Sequence, residues 1–305
     1  MIARDLSPAA LRRRLAGAGL ALRTGPLVFN IRSPLAEVAD GIALHYANHP
    51  LEAESTFVDF HVSVERPAGL RRWVNRQVVF RFDGELPFAP LPGHQGFPLL
   101  EWGLNWCIHG HCHQYLILHG AVVAKGGAAA ILPAPSGSGK STLCAGLAFR
   151  GWSLLSDELT VIDPVSRDVL AVPRPISLKN ASIEVIRRFA PDAVIGPSVP
   201  DTTKGTVAHV RPPPAAVAGA SLRATPRWVV LPQYEAGAAA TLTRLSRASA
   251  FMTLVDNAFN YNIHGAAGFA ALAALIDRCD CYSLRYGDLE QAVALFDRLA
   301  AEAQP

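Results

Sequence analysis

The chain has 305 residues, enough for one large domain or two ordinary ones with a substantial core. Half of the residues are hydrophobic and only 17% are charged, which excludes a disordered chain, and a net charge of +3 is too balanced for a protein that coats nucleic acid. No apolar run approaches the roughly 18 residues of a membrane span, so no span is expected. Of the 28 basic residues only four are lysine (Lys125, Lys140, Lys179 and Lys204), which makes each lysine a residue to account for.

Ser7-Pro8 opens the first helix, with Ser as the cap and Pro in the first turn. No apolar core of signal-peptide length follows Arg12, Arg13 and Arg14, and five Cys form an odd set that suits free thiols. Both features predict a cytoplasmic protein. Strand-like runs at 27–31, 56–64 and 77–82, separated by Pro- and Gly-bearing turns, predict a small β-rich module over residues 1–95. The Pro- and Gly-rich stretch around 86–98 marks its end, and residues 96–305 form the second unit.

Beyond that boundary a helix is predicted over 99–114, then strands at 115–124 and 128–133 around the Lys125-Gly126-Gly127 turn. A helix at 140–150 and a strand at 152–156 follow, then a hairpin pairing 159–162 with 169–172. Residues 190–226, rich in Pro and Gly, are expected to form a long, partly mobile loop. A strand at 228–233, helices near 247–256 and 266–277, a strand at 281–285 and a helix at 289–303 complete the chain. The alternation predicts an α/β fold.

The strongest chemical signal is Ala134-Pro135-Ser136-Gly137-Ser138-Gly139-Lys140-Ser141-Thr142, set between an apolar strand and a helix, as a phosphate-binding loop (P-loop) requires. Its glycines let backbone N–H groups face phosphate oxygens, and the helix N-terminus adds the positive end of its dipole. Residues 136–142 are therefore candidate nucleotide ligands: Lys140 would reach the β- and γ-phosphates and the Ser141 hydroxyl would hold Mg²⁺. Ala134 stands where the usual motif begins with Gly.

Asp157 and Glu158 end the next strand, 17 residues after Lys140. If that strand lies beside the loop strand, the acids meet the phosphates at the sheet edge, where one can hold Mg²⁺ while the other takes a proton from an attacking hydroxyl. The bland alternative is a pair of solvated turn residues.

The run Leu118-His119-Gly120-Ala121-Val122, the loop, and Arg150-Gly151-Trp152-Ser153-Leu154-Leu155-Ser156-Asp157-Glu158 together resemble the core of HPr kinase/phosphorylase. The resemblance is strong over residues 118–158 and elsewhere is one of general layout. It implies a mixed-sheet P-loop kinase domain of the HPr kinase and phosphoenolpyruvate carboxykinase type. It also implies ATP and Mg²⁺ as cofactors, Asp157 as the acid that activates an acceptor serine, Glu158 as the neighbouring metal-site acid and His119 as an active-site histidine. Glu158 stands where the family has a second Asp, and the family's Glu-x-Arg-Gly-Leu-Gly-Ile signature is missing. The chain therefore looks like a divergent kinase related to HPr kinase, to which neither phosphorylase activity nor HPr as substrate carries over. Members of that family assemble into homo-oligomers, and the resemblance extends that expectation here.

Other constellations keep two readings each. Lys204, His209 and Arg211 would make residues 201–212 a cationic loop over a γ-phosphate, or a surface linker. Lys179 would lie near nucleotide or acceptor, or merely start a helix. The cluster from Cys107 to His113 has zinc-like ligands but no second pair at structural spacing, so a helix end is the default. Trp102, Trp106 and Phe259 read as core. The expected activity is transfer of the γ-phosphate of ATP to a hydroxyl, a serine of a protein or peptide. A small-molecule kinase and a P-loop ATPase or nucleotide-dependent switch are the alternatives.

Overall fold

A computed structural model describes residues 1–303 apart from Glu54 and Ser136. The chain is mixed α/β, and three sheets organise it.

The N-terminal sheet has strand order β1 (Leu20–Thr24), β2 (Leu27–Arg32), β3 (Phe60–Glu65), β4 (Gln77–Phe82) and β5 (Leu91–Pro92), with α1 (Pro8–Ala16) packed on it and α2 (Ala36–His45) packed on α1. Ser7 caps α1 as its sequence predicts, its hydroxyl accepting from the Ala10 N–H. Strand β1 and helix α2 are additions to the sequence reading, and the strand expected from residue 56 begins only at Phe60. The next helix, α3 (Gly96–His111), starts inside the Pro-rich stretch read as a boundary. Pro98 sits in its first turn, where a missing N–H costs nothing. This helix packs on β3 and β4, and its Leu100, Leu104 and Cys107 share one core with Phe29, Val62 and Phe80. That core runs on to Ile117, Leu159 and Val161 of the next sheet.

The central sheet is built from β6 (Leu116–Lys125), β7 (Ala128–Pro133), β8 (Ser153–Ser156), β9 (Leu159–Ile162), β10 (Val169–Leu170), β14 (Arg223–Tyr234), β15 (Thr241–Arg244) and β16 (Asp280–Tyr286). Its order is β10-β9-β6-β7-β14-β16-β15, with β8 also on β6. Strands β7, β14 and β16 run parallel, and β6 is antiparallel to β7, β8 and β9. Helices α4 (Lys140–Ala148) and α9 (Leu289–Glu302) cover one face, while α7 (Arg247–Asp256) and α8 (Tyr261–Arg278, broken at Gly265 with φ 52°) cover the other.

The third sheet corrects the expectation of a loop over 190–226. Strands β11 (Ile176–Lys179), β12 (Val199–Thr202) and β13 (Gly205–Val210) pair antiparallel in the order β11-β13-β12, α5 (Ala181–Phe189) links β11 to β12, and the short α6 (Pro214–Ala218) follows. The Pro and Gly residues there delimit a hairpin; they do not dissolve it. Gly205 takes φ 82° at its turn, and β13 buries Val207, Ala208, His209 and Val210. All five Cys are free and buried. Among the described residues no helix is long and apolar enough to cross a membrane.

Candidate active site

Strand β6 gathers the site. On one side Gly120 pairs with Pro133 at the end of β7, just before the glycine-rich loop; on the other Val122 pairs with Ser156, just before Asp157 and Glu158. His119 lies on β6 opposite Leu159, and the Gly120 N–H donates to the Glu158 carbonyl at 3.1 Å. Two antiparallel pairings thus bring residues far apart in the chain to one sheet end.

In the loop, Gly137 and Gly139 take φ values of 89° and 88°, and Gly139 caps α4. At Gly139 a side chain is excluded twice, because an added Cβ would collide with Tyr286 Oη and lie 2.9 Å from Tyr234 Cβ. Ser138, Lys140, Ser141 and Thr142 run from this turn into the first turn of α4. Ser136, read as a nucleotide ligand, lies outside the described residues.

Lys140 is buried, with Nζ 3.2 Å from His119 Nε2 and 3.7 Å from Glu158 Oε2. His119 Nε2 also lies 3.1 Å from Glu158 Oε2. That nitrogen can accept from Lys140 or donate to Glu158, so its two contacts alternate with the ring's tautomer. Lys179 approaches the other oxygen, 3.9 Å from Glu158 Oε1. Burial alone would raise the Glu158 carboxyl, but the His119 hydrogen bond and the charges of Lys140, Lys179 and Lys204 outweigh it and hold the group well below the usual carboxylate range.

Asp157 is the opposite case. It is buried, and that burial together with the adjacent Glu158 charge pushes it up to about 6, against the pull of Lys140, the Ser177 amide and the Ser141 hydroxyl. Its Oδ2 accepts from the Ser177 N–H at 3.0 Å, while its Oδ1 is buried with no hydrogen-bond partner among the described residues. Two neighbouring carboxyls are therefore driven apart, one held ionised and one tuned toward neutral pH, as acid–base pairs are.

The two lysines suspected from the segments after the hairpin do reach this cluster. Lys179 ends β11, and Lys204 occupies the turn between β12 and β13 with Nζ 5.7 Å over the Trp102 ring. Partial withdrawal from water lowers the Lys204 ammonium; Glu158 opposes this, and Lys179 and Lys140 add to it. His209 and Arg211 do not join them. His209 is buried against Phe97 and His45, with ring centroids 5.2 and 6.0 Å away, and Arg211 donates to the Leu44 carbonyl.

The cluster from Cys107 to His113 is spent on packing: Cys107 and Cys112 are buried, His109 stacks on Phe259 at 4.3 Å and His111 on Phe82 at 4.6 Å. Phe259, expected in the core, is 44% exposed beside His119, whose ring centroid lies 5.9 Å away. Sequence reasoning missed Ser177, which orients Asp157 through its backbone, because a backbone donor has no side-chain signature.

Among the described residues no three His, Cys, Asp or Glu side chains form a metal cluster. The hard oxygens of Ser141, Asp157 and Glu158 instead suit a Mg²⁺ that keeps phosphate and water ligands, and Asp157 Oδ1 is an acceptor with no partner among the described residues. Comparison with known protein families and with curated proteins returned no match for this chain.

Proposed function

We propose that this protein is an ATP- and Mg²⁺-dependent phosphotransferase with a P-loop domain of the HPr kinase and phosphoenolpyruvate carboxykinase type. It phosphorylates a serine hydroxyl of a protein or peptide other than HPr. The observation that carries this reading is the convergence of the loop lysine, Lys140, 3.7 Å from Glu158, with the adjacent carboxyl of Asp157, whose affinity for a proton is raised and whose Oδ1 has no partner among the described residues.

ATP supplies the transferred group. Lys140 and the loop amides hold its β- and γ-phosphates, and Lys179 and Lys204 offer further positive charge around the γ-phosphate. Asp157 Oδ1 takes the acceptor proton as the acceptor oxygen bonds to the γ-phosphorus. The bond from that phosphorus to the β–γ bridging oxygen breaks, leaving phosphoserine and ADP. Ser141 with Glu158 would hold Mg²⁺, which when bound neutralises phosphate charge, while Asp157 Oδ1 is kept for the proton.

A polypeptide acceptor is favoured by the surface beside His119. Phe259 and Ile263 are 44% and 62% exposed, on a segment pinned to β6. The Phe259 N–H donates to the Ile117 carbonyl, Asn260 Oδ1 accepts from the Ile117 N–H, and Asn260 Nδ2 donates to the Tyr115 carbonyl. Rigidly held apolar groups suit side chains flanking an acceptor residue more than a small hydrophilic substrate.

The test is a lysate of the source organism incubated with γ-labelled ATP, Mg²⁺ and purified protein, with labelled products identified by mass spectrometry. Wild type should label a serine-containing polypeptide, and Asp157→Asn should be slower by about 10²-fold or more. Label appearing only in a small metabolite, or only as free phosphate, would replace the reading with a small-molecule kinase or an ATPase switch.

A further inference from the structure

The two sides of the glycine-rich loop are unequal. On one side β6 and β8 deliver His119, Asp157 and Glu158. On the other, β14 and β16 run parallel to β7 and end at Tyr234 and Tyr286, which pair in register with each other. Ligands of parallel α/β sheets lie across the carboxyl ends of the strands. A nucleotide whose terminal phosphate faces the acids must therefore extend its nucleoside over the ends of β14 and β16.

We propose that the Tyr234 ring is the stacking platform for a purine base, an inference that rests on the nucleotide-binding reading above. The ring is 52% exposed, whereas its partner Tyr286 is 2% exposed. Tyr286 donates its hydroxyl proton to the Gly139 carbonyl at 3.0 Å and meets Tyr234 edge-on, with centroids 5.7 Å apart and planes at 70°. Tyr286 is thus the buried prop and Tyr234 the ring left open to solvent. The Tyr234 N–H donates to the Ser138 carbonyl at 3.0 Å, so the platform is tied to the phosphate loop itself.

Tyr234 contributes little to the core, yet it is held in place by the loop that would take the phosphates. A π-face at a fixed distance from a phosphate cradle is what a base requires, and a purine offers the larger surface to cover it. The adjacent charged groups are already engaged: Arg285 Nε and Nη2 donate to the two Glu235 oxygens at 2.6 and 2.5 Å. Recognition is therefore by stacking and not by the base edge, and adenine and guanine nucleotides should bind alike.

Calorimetric titration of wild type, Tyr234→Ala and Tyr234→Phe with Mg-ATP, Mg-GTP, Mg-CTP and Mg-tripolyphosphate tests this. Tyr234→Ala should weaken ATP about ten-fold or more and leave tripolyphosphate unchanged. Tyr234→Phe should match wild type, and ATP and GTP should agree within about three-fold, with CTP weaker. Unchanged ATP affinity in Tyr234→Ala overturns the platform while leaving the nucleotide reading intact. Equal loss of ATP and tripolyphosphate also overturns it, because the ring would then act on the loop and not on the base. If wild type binds neither ATP nor tripolyphosphate, both readings fall.

Discussion

The Lys140 ammonium lies 3.7 Å from Glu158 Oε2 in a site where the lysine side chain is only 6% exposed. A buried ammonium needs a counter-charge, and here the nearest one belongs to the acid pair. On the proposed reading, phosphate oxygens would compete with Glu158 for the same proton donors, and the contact would be the place-holder that a nucleotide displaces.

The prediction concerns both partners. Lys140→Met should lower ATP affinity at least ten-fold and abolish transfer, because no other cation sits on the loop. Glu158→Gln should bind metal-free ATP several-fold tighter than wild type, since a negative charge facing the phosphates is gone, and should still transfer poorly. Calorimetry with and without Mg²⁺ reads both effects. Glu158→Gln weakening metal-free ATP would show that the acid does not compete for Lys140.

Asp157 links function to stability. Its pKa is about 6 in the folded protein against an ordinary 3.8, so the folded state holds the proton more tightly than the unfolded chain. The resulting stabilisation is complete below pH 3.8 and is lost as pH rises through about 6. At pH 8 the ionised carboxyl therefore costs on the order of 3 kcal/mol. Asp157→Asn keeps an oxygen for the Ser177 N–H without the charge. It should be more stable than wild type at pH 8, with the gap closing below pH 4, and slower by about 10²-fold or more throughout. Denaturant midpoints across pH check the first part; a wild-type kcat/KM profile with an acidic limb near pH 6 checks the second.

How much of this could be read from the sequence depends on whether the information is contiguous. The loop, the acid pair and strands 77–82 and 128–133 were legible because a short run of residues carries each of them. Helix α2 was not. Leu35 gives it no capping side chain, and its Gly41 is required by tertiary contact, since a Cβ there would collide with the Phe97 ring. The hairpin of β12 and β13 was hidden by its own turn residues. Lys179 and Lys204 could be suspected from their segments and from the scarcity of lysine, but what places them beside Glu158 is the pairing of β11 with β13. Ser177 and Tyr234 owe their places to strand pairing and register, which local patterning does not encode.

Arg174 joins the N-terminal layers to the strand that orients Asp157. It precedes β11, donates to Asn105 Oδ1 at 2.5 Å and lies 3.8 Å from Glu101 Oε2, while the Tyr46 hydroxyl donates to Glu101 Oε1 at 2.6 Å. Burial raises the Glu101 carboxyl, with Arg174 and Tyr46 opposing. Arg174→Ala removes the counter-charge from a fully enclosed acid and should cost about 3–5 kcal/mol. Replacing both members, as Glu101→Leu with Arg174→Met, should recover most of that loss. Urea titrations of the two variants decide it, and a double variant as unstable as the single one would mean that Arg174 acts through Asn105 and not through Glu101.

Three buried histidines between the same layers should make the fold acid-labile. His45 stacks on Phe97 at 5.1 Å, His209 packs edge-on against both, and His49 Nε2 lies 2.7 Å from the Pro173 carbonyl. Burial lowers their pKa values to about 4 for His45 and His49 and about 3 for His209, with Arg211 adding to the effect at His45 and the His45 and Arg174 charges at His209. The unfolded chain protonates these rings near pH 6.5, so their contribution to stability is present above that pH and is lost as pH falls toward 4. At pH 5 each ring should cost on the order of 2 kcal/mol relative to pH 7.5, partly offset by Asp157, whose protonation runs the other way. The denaturation midpoint should fall between pH 7.5 and pH 5, and His45→Phe, which keeps the stack on Phe97 without the titrating nitrogen, should flatten that slope. A slope unchanged in His45→Phe would assign the acid lability to other groups.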